Sequence, residues 1–195
     1  MSLPTKHSLK IIQGSTFQEV LRWESSTKVY KPITAIGNTA PLVITAVGHG
    51  MPIGWRCKIS NVAGMKELNS STNYQIVTGT TSDTCTFNYV NAVGFTPYVS
   101  GGILEYNAPT SLAGVTARMQ IREKLTSTTI LDELTTENGK LVVDDILKTI
   151  TIVLSATVTQ AYTFKSAVYS MELVNGSIVT PFITGNITLD TEITR

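Results

Sequence analysis

Alternation of apolar and polar residues with a period of two is the feature that most constrains the fold of this chain. In the segment 115–122, Val115, Ala117, Met119 and Ile121 share one face, and polar or charged residues occupy the other. Successive side chains of a strand point to opposite faces, so this pattern predicts a sheet with one buried and one solvated side. Apolar residues at helical spacing are almost absent. The sequence therefore predicts an all-β protein.

Further strands are expected where β-branched and aromatic residues lie between turn residues. In the outer parts of the chain these segments are 16–23, 134–136, 141–143, 149–154, 169–174, 177–180 and 185–193. Asn138-Gly139 and Asn175-Gly176 each separate two of them, and Asn-Gly favours the type I′ turn of a β-hairpin. Ser155 follows a strand and is expected to cap one short helical turn. Strands that begin roughly 8 to 14 residues apart are typical of a β-sandwich.

A segment from Pro41 to Tyr106, rich in Gly, Asn and Thr, interrupts this pattern. It contains four strand-like stretches of its own, 42–47, 56–60, 74–77 and 85–89. Its length is near the lower bound for a domain with its own core. We expect an Ig-like or related β-sandwich scaffold made from both chain ends, 1–36 and 109–195, and an inserted small β-barrel or sandwich module, 37–108.

Charge and hydropathy restrict the classes of partner. Charged residues are 15% of the chain, against roughly 25% in an ordinary soluble domain. A formal net charge of +1 supplies no basic face for duplex binding, so nucleic acid is not an expected partner. No apolar run approaches the roughly 20 residues that cross a bilayer, and residues 1–14 lack the apolar core of a secretory signal. We expect no membrane insertion, and folding in a cytoplasm.

Residue types that carry catalysis or bind metals do not form a recognisable set. His49 lies between two glycines and is expected to shape a tight turn, because the second histidine of the chain, His7, is far away in sequence. Cys57 and Cys85 are expected to be buried as small apolar side chains, and a disulfide between them stays open. No nucleophile elbow and no phosphate-binding glycine loop is present.

The acidic residues between the later strands are expected to lie in solvated turns. Their spacing lacks the alternating acids of a calcium loop. They are Asp132, Glu133, Glu137, Asp144 and Asp145. We therefore expect no catalytic, cofactor-binding or metal-binding residues, and we expect that the protein is not an enzyme.

Large aromatic residues and two arginines are the candidate contact residues. Exposed aromatics of the central segment would stack on sugar rings or anchor a partner, whereas core packing is their commoner fate. The arginines share the polar face of 115–122, where they either face solvent or pair with carboxylates of a neighbouring copy. The candidate partner or host contacts are Trp55, Phe95, Tyr98, Arg118 and Arg122.

The order of several motifs resembles that of tailed-bacteriophage virion proteins. The motifs are Gln13-Gly14-Ser15-Thr16-Phe17, the segments 112–122, 134–139, 152–159 and 168–173, Gly185, and the terminal Glu192-Ile193-Thr194-Arg195. In the central segment, 44–54, 64–69 and 98–102 resemble the small β-modules repeated in phage tail and fibre proteins. Ala113 and Ser170 depart from the family, which usually has a threonine and an acidic residue there.

This resemblance implies a structural component of a phage particle, placed with the tail, baseplate, collar or fibre-attachment machinery. We expect a homo-oligomer that forms a symmetric ring or an adaptor for other phage tail proteins, assembled in the host cytoplasm and located in the virion tail. A neutral surface rich in hydroxyl groups suits packing against symmetric copies. The alternative is a module displayed on the virion that binds a host-surface glycan or receptor.

Overall fold

The computed structural model describes residues 4–70 and 72–192. Strands make up 53% of the chain and helix 4%, which confirms the all-β prediction. Within the described residues the strands are β1 (Thr5–Lys6), β2 (Leu9–Ile12), β3 (Phe17–Arg22), β4 (Glu24–Pro32), β5 (Ala35–Ile36), β6 (Leu42–Thr45), β7 (Arg56–Ala63), β8 (Gln75–Ile76), β9 (Gly79–Thr80), β10 (Thr84–Phe87), β11 (Ser100–Pro109), β12 (Thr116–Arg122), β13 (Ile130–Thr135), β14 (Leu141–Asp144), β15 (Thr149–Leu154), β16 (Ser166–Asn175) and β17 (Ile178–Asp190). The helical elements there are a 3₁₀ turn (Lys66–Leu68) and α1 (Ala156–Gln160).

The chain divides into two compact units. The terminal unit contains residues 4–22, 112–145 and 149–192, and the central unit contains Trp23–Ser111 and Ile146–Lys148. Each unit has its own strands and its own buried side chains, and each is described separately below.

The observed unit boundaries differ from those expected at 36/37 and 108/109. Residues 23–36 belong to the central unit, because β4 pairs antiparallel with β11 over most of its length, for example at Tyr30↔Glu105. The paired residues of these strands are more than seventy positions apart in sequence, so the local pattern of β4 does not reveal its partner.

Both ends of the described chain contribute strands to one sheet of the terminal unit. β1 and β2 each pair in parallel with the last strand, β17, for example at Thr5↔Ile183 and Leu9↔Ile187. This six-stranded sheet runs β1-β17-β16-β12-β13, with β2 also on β17, and a three-stranded sheet runs β14-β15-β3. A sheet with one solvated face buries its other face. The terminal unit has two sheets and is of β-sandwich type.

The alternation predicted for 115–122 is observed in β12. Ala117, Met119 and Ile121 are buried, and the polar residues between them face outward. β15 occupies the predicted segment 149–154, and α1 follows it directly. The Oγ atom of Ser155 accepts the N–H of Val158 at 3.3 Å, which confirms the predicted helix cap. The predicted end of the last strand, Ile193, lies outside the described residues.

The two Asn-Gly dipeptides have different outcomes. β16 and β17 form the predicted hairpin, with a positive φ at Gly176 and none at Ser177, the pattern of a type II′ turn and not of the expected type I′. The hairpin predicted at Asn138-Gly139 is wrong, because β13 pairs with β12 whereas β14 pairs with β15. The turn there carries the chain from one sheet to the other.

The side chain of Asn138 explains why β13 and β14 do not pair. Its Oδ1 accepts the backbone N–H of Thr135 at 3.0 Å, and its Nδ2 donates to the carbonyl of Glu133 at 2.9 Å. The amide thus occupies the edge of β13 that a hairpin partner would need. In the central unit, Asn69 bonds in the same way to both the N–H and the carbonyl of Val62 in β7. Such caps protect strand edges against unwanted pairing.

Two four-stranded sheets form the central unit, in the orders β5-β6-β10-β9 and β4-β11-β7-β8. The four stretches predicted in this region each overlap a strand, β6, β7, β8 or β10, although β7 extends to Ala63 and β10 begins at Thr84. Trp55, Phe87 and Tyr106 are fully buried in one cluster with aliphatic residues of both sheets. Burial of an aromatic of this size stabilises a fold by roughly 2 to 3 kcal/mol.

Candidate functional site

The aromatic residues proposed as contacts are not free surface groups. Trp55 has no exposed surface, and its Nε1 donates to the carbonyl of Asn107 at 2.8 Å. Trp55 therefore cannot touch a partner, and the prediction that it is a contact residue is wrong. The indole packs in the core of the central unit instead. Phe95 and Tyr98 are half-buried and pack against the same core. The Tyr98 hydroxyl donates to the carbonyl of Gly101 at 2.9 Å, so this ring supports a turn of its own unit.

Arg118 and Arg122 lie on the outward face of β12, as expected from the alternation. Arg118 forms an ion pair with Glu172 of β16 at 2.8 Å. Arg122 donates to the carbonyl of Ser127 at 2.7 Å and to the Oε1 of Gln120 at 2.8 Å. Both guanidinium groups are therefore satisfied within the terminal unit. Exposed pairs of this kind contribute about 0 to 1 kcal/mol to stability.

Two shallow cavities lie side by side on this outward face, with volumes of about 280 and 240 Å³. Gln120 and Ser170 line both of them. Gln120 also donates to the Oε1 of Glu133 at 2.9 Å, so hydrogen bonds run across β13, β12 and β16. The face is polar and its charges balance locally, which is the surface expected of the wet side of a sheet.

A second charged surface, which sequence reasoning missed, lies on the central unit around Tyr74. Three cationic side chains lie near its ring: the Nζ of Lys58 is 4.9 Å, the Cζ of Arg56 5.1 Å and the Nζ of Lys28 5.9 Å from the ring centroid. These are distances of cation–π interactions. We call Tyr74, these three cations and their carboxylate partners, Glu24 and Glu105, the Tyr74 cluster.

The Tyr74 cluster is built on one face of the sheet β4-β11-β7-β8. Arg56 and Lys58 are two residues apart in β7 and therefore share a face. Lys58 lies directly opposite Glu105 of β11, and Tyr74 immediately precedes β8. The alternation of Arg56 and Lys58 was available in the sequence, but the pairing that brings Lys28 beside them was not.

Carboxylates compensate two of the three cations in the cluster. Arg56 donates to both oxygens of Glu24, at 2.9 Å from Nε to Oε1 and 2.9 Å from Nη2 to Oε2. Lys28 pairs with Glu105 at 3.2 Å. The hydrogen bond that Lys28 donates to Glu105 raises the pKa of Lys28 above its ordinary value, with a smaller contribution from the Tyr74 hydroxyl. Both cations are therefore charged at neutral pH.

His49 is a buried structural residue of the central unit. Its Nδ1 accepts the N–H of Met51 at 3.1 Å, and its Nε2 lies 3.1 Å from the carbonyl of Thr84, to which it donates in the neutral tautomer. The Tyr106 hydroxyl donates to the His49 carbonyl. This side chain holds a turn, as expected, and both ring nitrogens are engaged.

The two cysteines, Cys57 on β7 and Cys85 on β10, are buried and free, so they are not bridged. Burial raises the pKa of Cys85 to about 12. The same cause raises the pKa of Cys57 further. Within residues 4–70 and 72–192, no three His, Cys, Asp or Glu side chains are grouped closely enough to hold a metal ion.

Asp132 does not lie in a solvated turn, contrary to expectation. Its carboxylate is mostly buried and accepts hydrogen bonds from Lys140 at 2.5 Å, from the Tyr162 hydroxyl at 2.6 Å and from the N–H of Glu133 at 2.8 Å. Burial and the bond to Asp132 raise the pKa of Tyr162 well above its ordinary range. The carboxylate thus joins β13 to the loops after β13 and α1 and has a structural role in the terminal unit.

No protein-family model matches the chain, and no curated protein matches it in sequence. In the part of the chain that the structure describes, no helix has the length and apolar character to span a membrane.

Proposed function

We propose that this protein is a structural component of a tailed-bacteriophage particle, a ring or adaptor protein of the tail, baseplate or collar. The proposal rests on the motif order that resembles phage virion proteins and on the architecture of the chain. In this proposal the terminal unit packs against neighbouring copies and other tail proteins, and it carries the central unit as an inserted module.

The observation that carries the proposal is the pairing of both chain ends in one sheet. β1 and β2 lie parallel to β17, and a separate unit with its own core is inserted between Arg22 and Leu112. A scaffold closed by its own termini can carry an insertion without loss of its core, because insertions are tolerated where few backbone bonds cross. This organisation suits a repeated building block that presents an accessory unit.

The neutral polar face of the six-stranded sheet is also consistent with assembly. Interfaces between symmetric copies avoid unpaired buried charges. Arg118 and Arg122 already have partners within the chain, so contact with another copy would not bury an unpaired cation.

Mass spectrometry of purified phage particles tests this proposal. We expect the chain in gradient-purified virions at a fixed ratio to the major tail proteins, and we expect the ratio to persist after high-salt washing. Presence in the infected-cell lysate but absence from purified particles would reject the proposal.

A second candidate function is recognition of the host surface by the central unit, through a glycan or a receptor. The observation that favours it is the exposure of aromatic rings there, with Tyr89 at 87%, Tyr30 at 59% and Tyr74 at 37%. Aromatic rings contribute much of the binding energy at such contacts. Adsorption of the purified full chain to host cells tests this function. Tyr98→Ala is a poor probe of a surface contact, because the ring of Tyr98 supports the fold.

A further inference from the structure

We propose that the Tyr74 cluster is a binding site for an anionic saccharide, whose sugar ring packs on Tyr74 and whose acidic group pairs with Lys58. This inference rests on the second candidate function above and specifies its site and its class of ligand.

The cluster holds one more positive charge than its carboxylates neutralise. Glu24 is occupied by Arg56 and also accepts from the Nδ2 of Asn107 at 2.8 Å, and Glu105 is occupied by Lys28. Among the described residues, Lys58 forms no ion pair, and its Nζ lies 4.9 Å from the centroid of the Tyr74 ring. An ammonium group with three donors and no acidic partner is complementary to a carboxylate or phosphate group on a ligand.

The remaining groups of the cluster match the rest of a sugar. The Tyr74 ring is 37% exposed, and an aromatic surface of this kind packs against the C–H face of a pyranose. Glu105 has accepting capacity beyond its bond to Lys28, because a carboxylate offers about four lone-pair directions. Such oxygens accept hydrogen bonds from sugar hydroxyl groups. An aromatic ring, acceptors for hydroxyl groups and the unpaired ammonium group of Lys58 together match an acidic sugar better than a neutral one.

The cluster is also preorganised. Its charged members project from β4, β11 and β7, three hydrogen-bonded neighbours in one sheet, and Glu24 is held at both oxygens. Groups on strands lose little freedom when a ligand binds. A nucleic-acid strand fits this surface poorly, because two carboxylates are interspersed among the three cations and would repel successive phosphates.

Nuclear magnetic resonance titration of the ¹⁵N-labelled full chain tests the site. The probe is a short oligogalacturonate, which carries one carboxylate on each sugar, and its methyl ester is the uncharged control. We expect saturable shifts confined to β7, β8, β11 and the Tyr74 region with the acid, and no shifts there with the ester. Dextran sulfate in a parallel arm establishes whether a sulfate ester replaces the carboxylate.

Two variants and a matched control assign the binding to the cluster. Lys58→Gln removes the spare charge and should weaken oligogalacturonate binding by about tenfold or more. Tyr74→Leu should weaken it comparably, whereas Lys66→Gln, which alters an exposed lysine of the same unit outside the cluster, should leave it unchanged. The urea midpoints of all three variants establish that they fold.

Binding that persists in Lys58→Gln, binding of the methyl ester as strong as that of the acid, or equal binding of a short single-stranded DNA would each overturn the proposal. So would the absence of shifts at the cluster with both anionic probes. Host-cell adsorption of the wild type and of Lys58→Gln, measured in parallel, distinguishes failure of this saccharide site from failure of the proposed host recognition. Equal adsorption without probe binding rejects this site and leaves host recognition standing. Probe binding that Lys58→Gln abolishes, without adsorption of the wild type, supports the site and rejects host recognition.

Discussion

A single methyl group at position 185 tests how the first strands are held in the terminal unit. Gly185 lies in β17 opposite Tyr169, and a Cβ atom there would lie 1.8 Å from the carbonyl oxygen of His7. The φ angle of Gly185 is not in the left-handed region, so alanine introduces no backbone strain of its own. The collision with the His7 backbone is therefore the main effect of Gly185→Ala, since the next contact of the added Cβ is with Tyr169 Cε1 at 3.3 Å.

The cost of the substitution follows from the bonds around His7. The carbonyl oxygen must withdraw by about 1.6 Å, from 1.8 to 3.4 Å, to restore an ordinary contact. That movement breaks the bond from the His7 N–H to the Thr184 carbonyl, 2.9 Å, and the bond from the Tyr169 hydroxyl to the His7 carbonyl, 2.7 Å. An ordinary hydrogen bond contributes about 1 kcal/mol, and a buried hydroxyl left without a partner costs about 1 to 3 kcal/mol. We expect Gly185→Ala to lower the free energy of unfolding by about 2 to 4 kcal/mol.

Urea unfolding and amide hydrogen exchange measure this effect. The amide of His7, which donates to the Thr184 carbonyl, should lose protection in Gly185→Ala beyond the global change in stability, because β1 detaches from β17. Gly94→Ala is the matched control, since an added Cβ there meets no atom within 4 Å and Gly94 has no positive φ. Wild-type stability and undiminished His7 protection in Gly185→Ala would contradict the parallel pairing of the chain ends.

Four further predictions concern buried groups. His49→Ala leaves the buried N–H of Met51 without its partner and should lower the unfolding free energy by about 1 to 3 kcal/mol in urea titrations, and an unchanged midpoint would count against this bond. Asp132→Asn removes the charge that Lys140 contacts at 2.5 Å and should lower the free energy of unfolding by about 1 to 3 kcal/mol. Adding Lys140→Met to this variant should recover part of that loss. Strictly additive effects of the two substitutions would exclude a coupling between the two side chains. Cys57 and Cys85 should resist Ellman's reagent at neutral pH until urea unfolds the protein, so rapid labelling of the native chain would refute their burial. Burial raises the folded-state pKa of Cys85 from 9.0 to about 12. The stability that comes from keeping this thiol protonated is therefore fully present below pH 9.0 and is lost as the pH rises toward about 12. Urea midpoints that stay constant over that pH range would disprove this.

Local patterns in the sequence determined which segments form strands and which faces they bury. The alternation in 115–122 predicted the buried residues of β12, and Ser155 predicted the start of α1, because both depend on neighbours within a few residues. The same kind of pattern identified the stretches that contain β6, β7, β8 and β10. Sequence reasoning therefore recovers strands with clear alternation, but it does not predict β4 and β11, the nine- and ten-residue strands that pair with each other in the central unit.

Strand partners were harder to predict because they depend on residues far apart in the chain. Asn138-Gly139 has the composition of a hairpin turn, yet its asparagine side chain caps the edge of β13 and the chain passes to the other sheet. The assignment of β4 failed for a similar reason, since its partner β11 is distant in sequence. Composition describes a turn, whereas the sheet that each flanking strand joins is decided by the packing of the whole unit.

The candidate contact residues illustrate a further limit. Trp55 and Tyr74 are both aromatic residues next to strands, and the sequence alone does not separate the buried one from the exposed one. Trp55 fills the central core, whereas Tyr74 lies among three cations on the outer face. The alternate placement of Arg56 and Lys58 is a usable sequence signal for the second surface, because two cations with period two mark a wet strand face.

Cryo-electron microscopy of intact phage particles tests the proposed virion role most directly. We predict density for the terminal unit at symmetry-related positions in the tail, baseplate or collar, with β1 and β2 beside β17 and the central unit resolved as a separate body. Particles that carry no density for this chain, while mass spectrometry finds it only in the soluble fraction of the lysate, would contradict the proposal that it is a structural component of the virion.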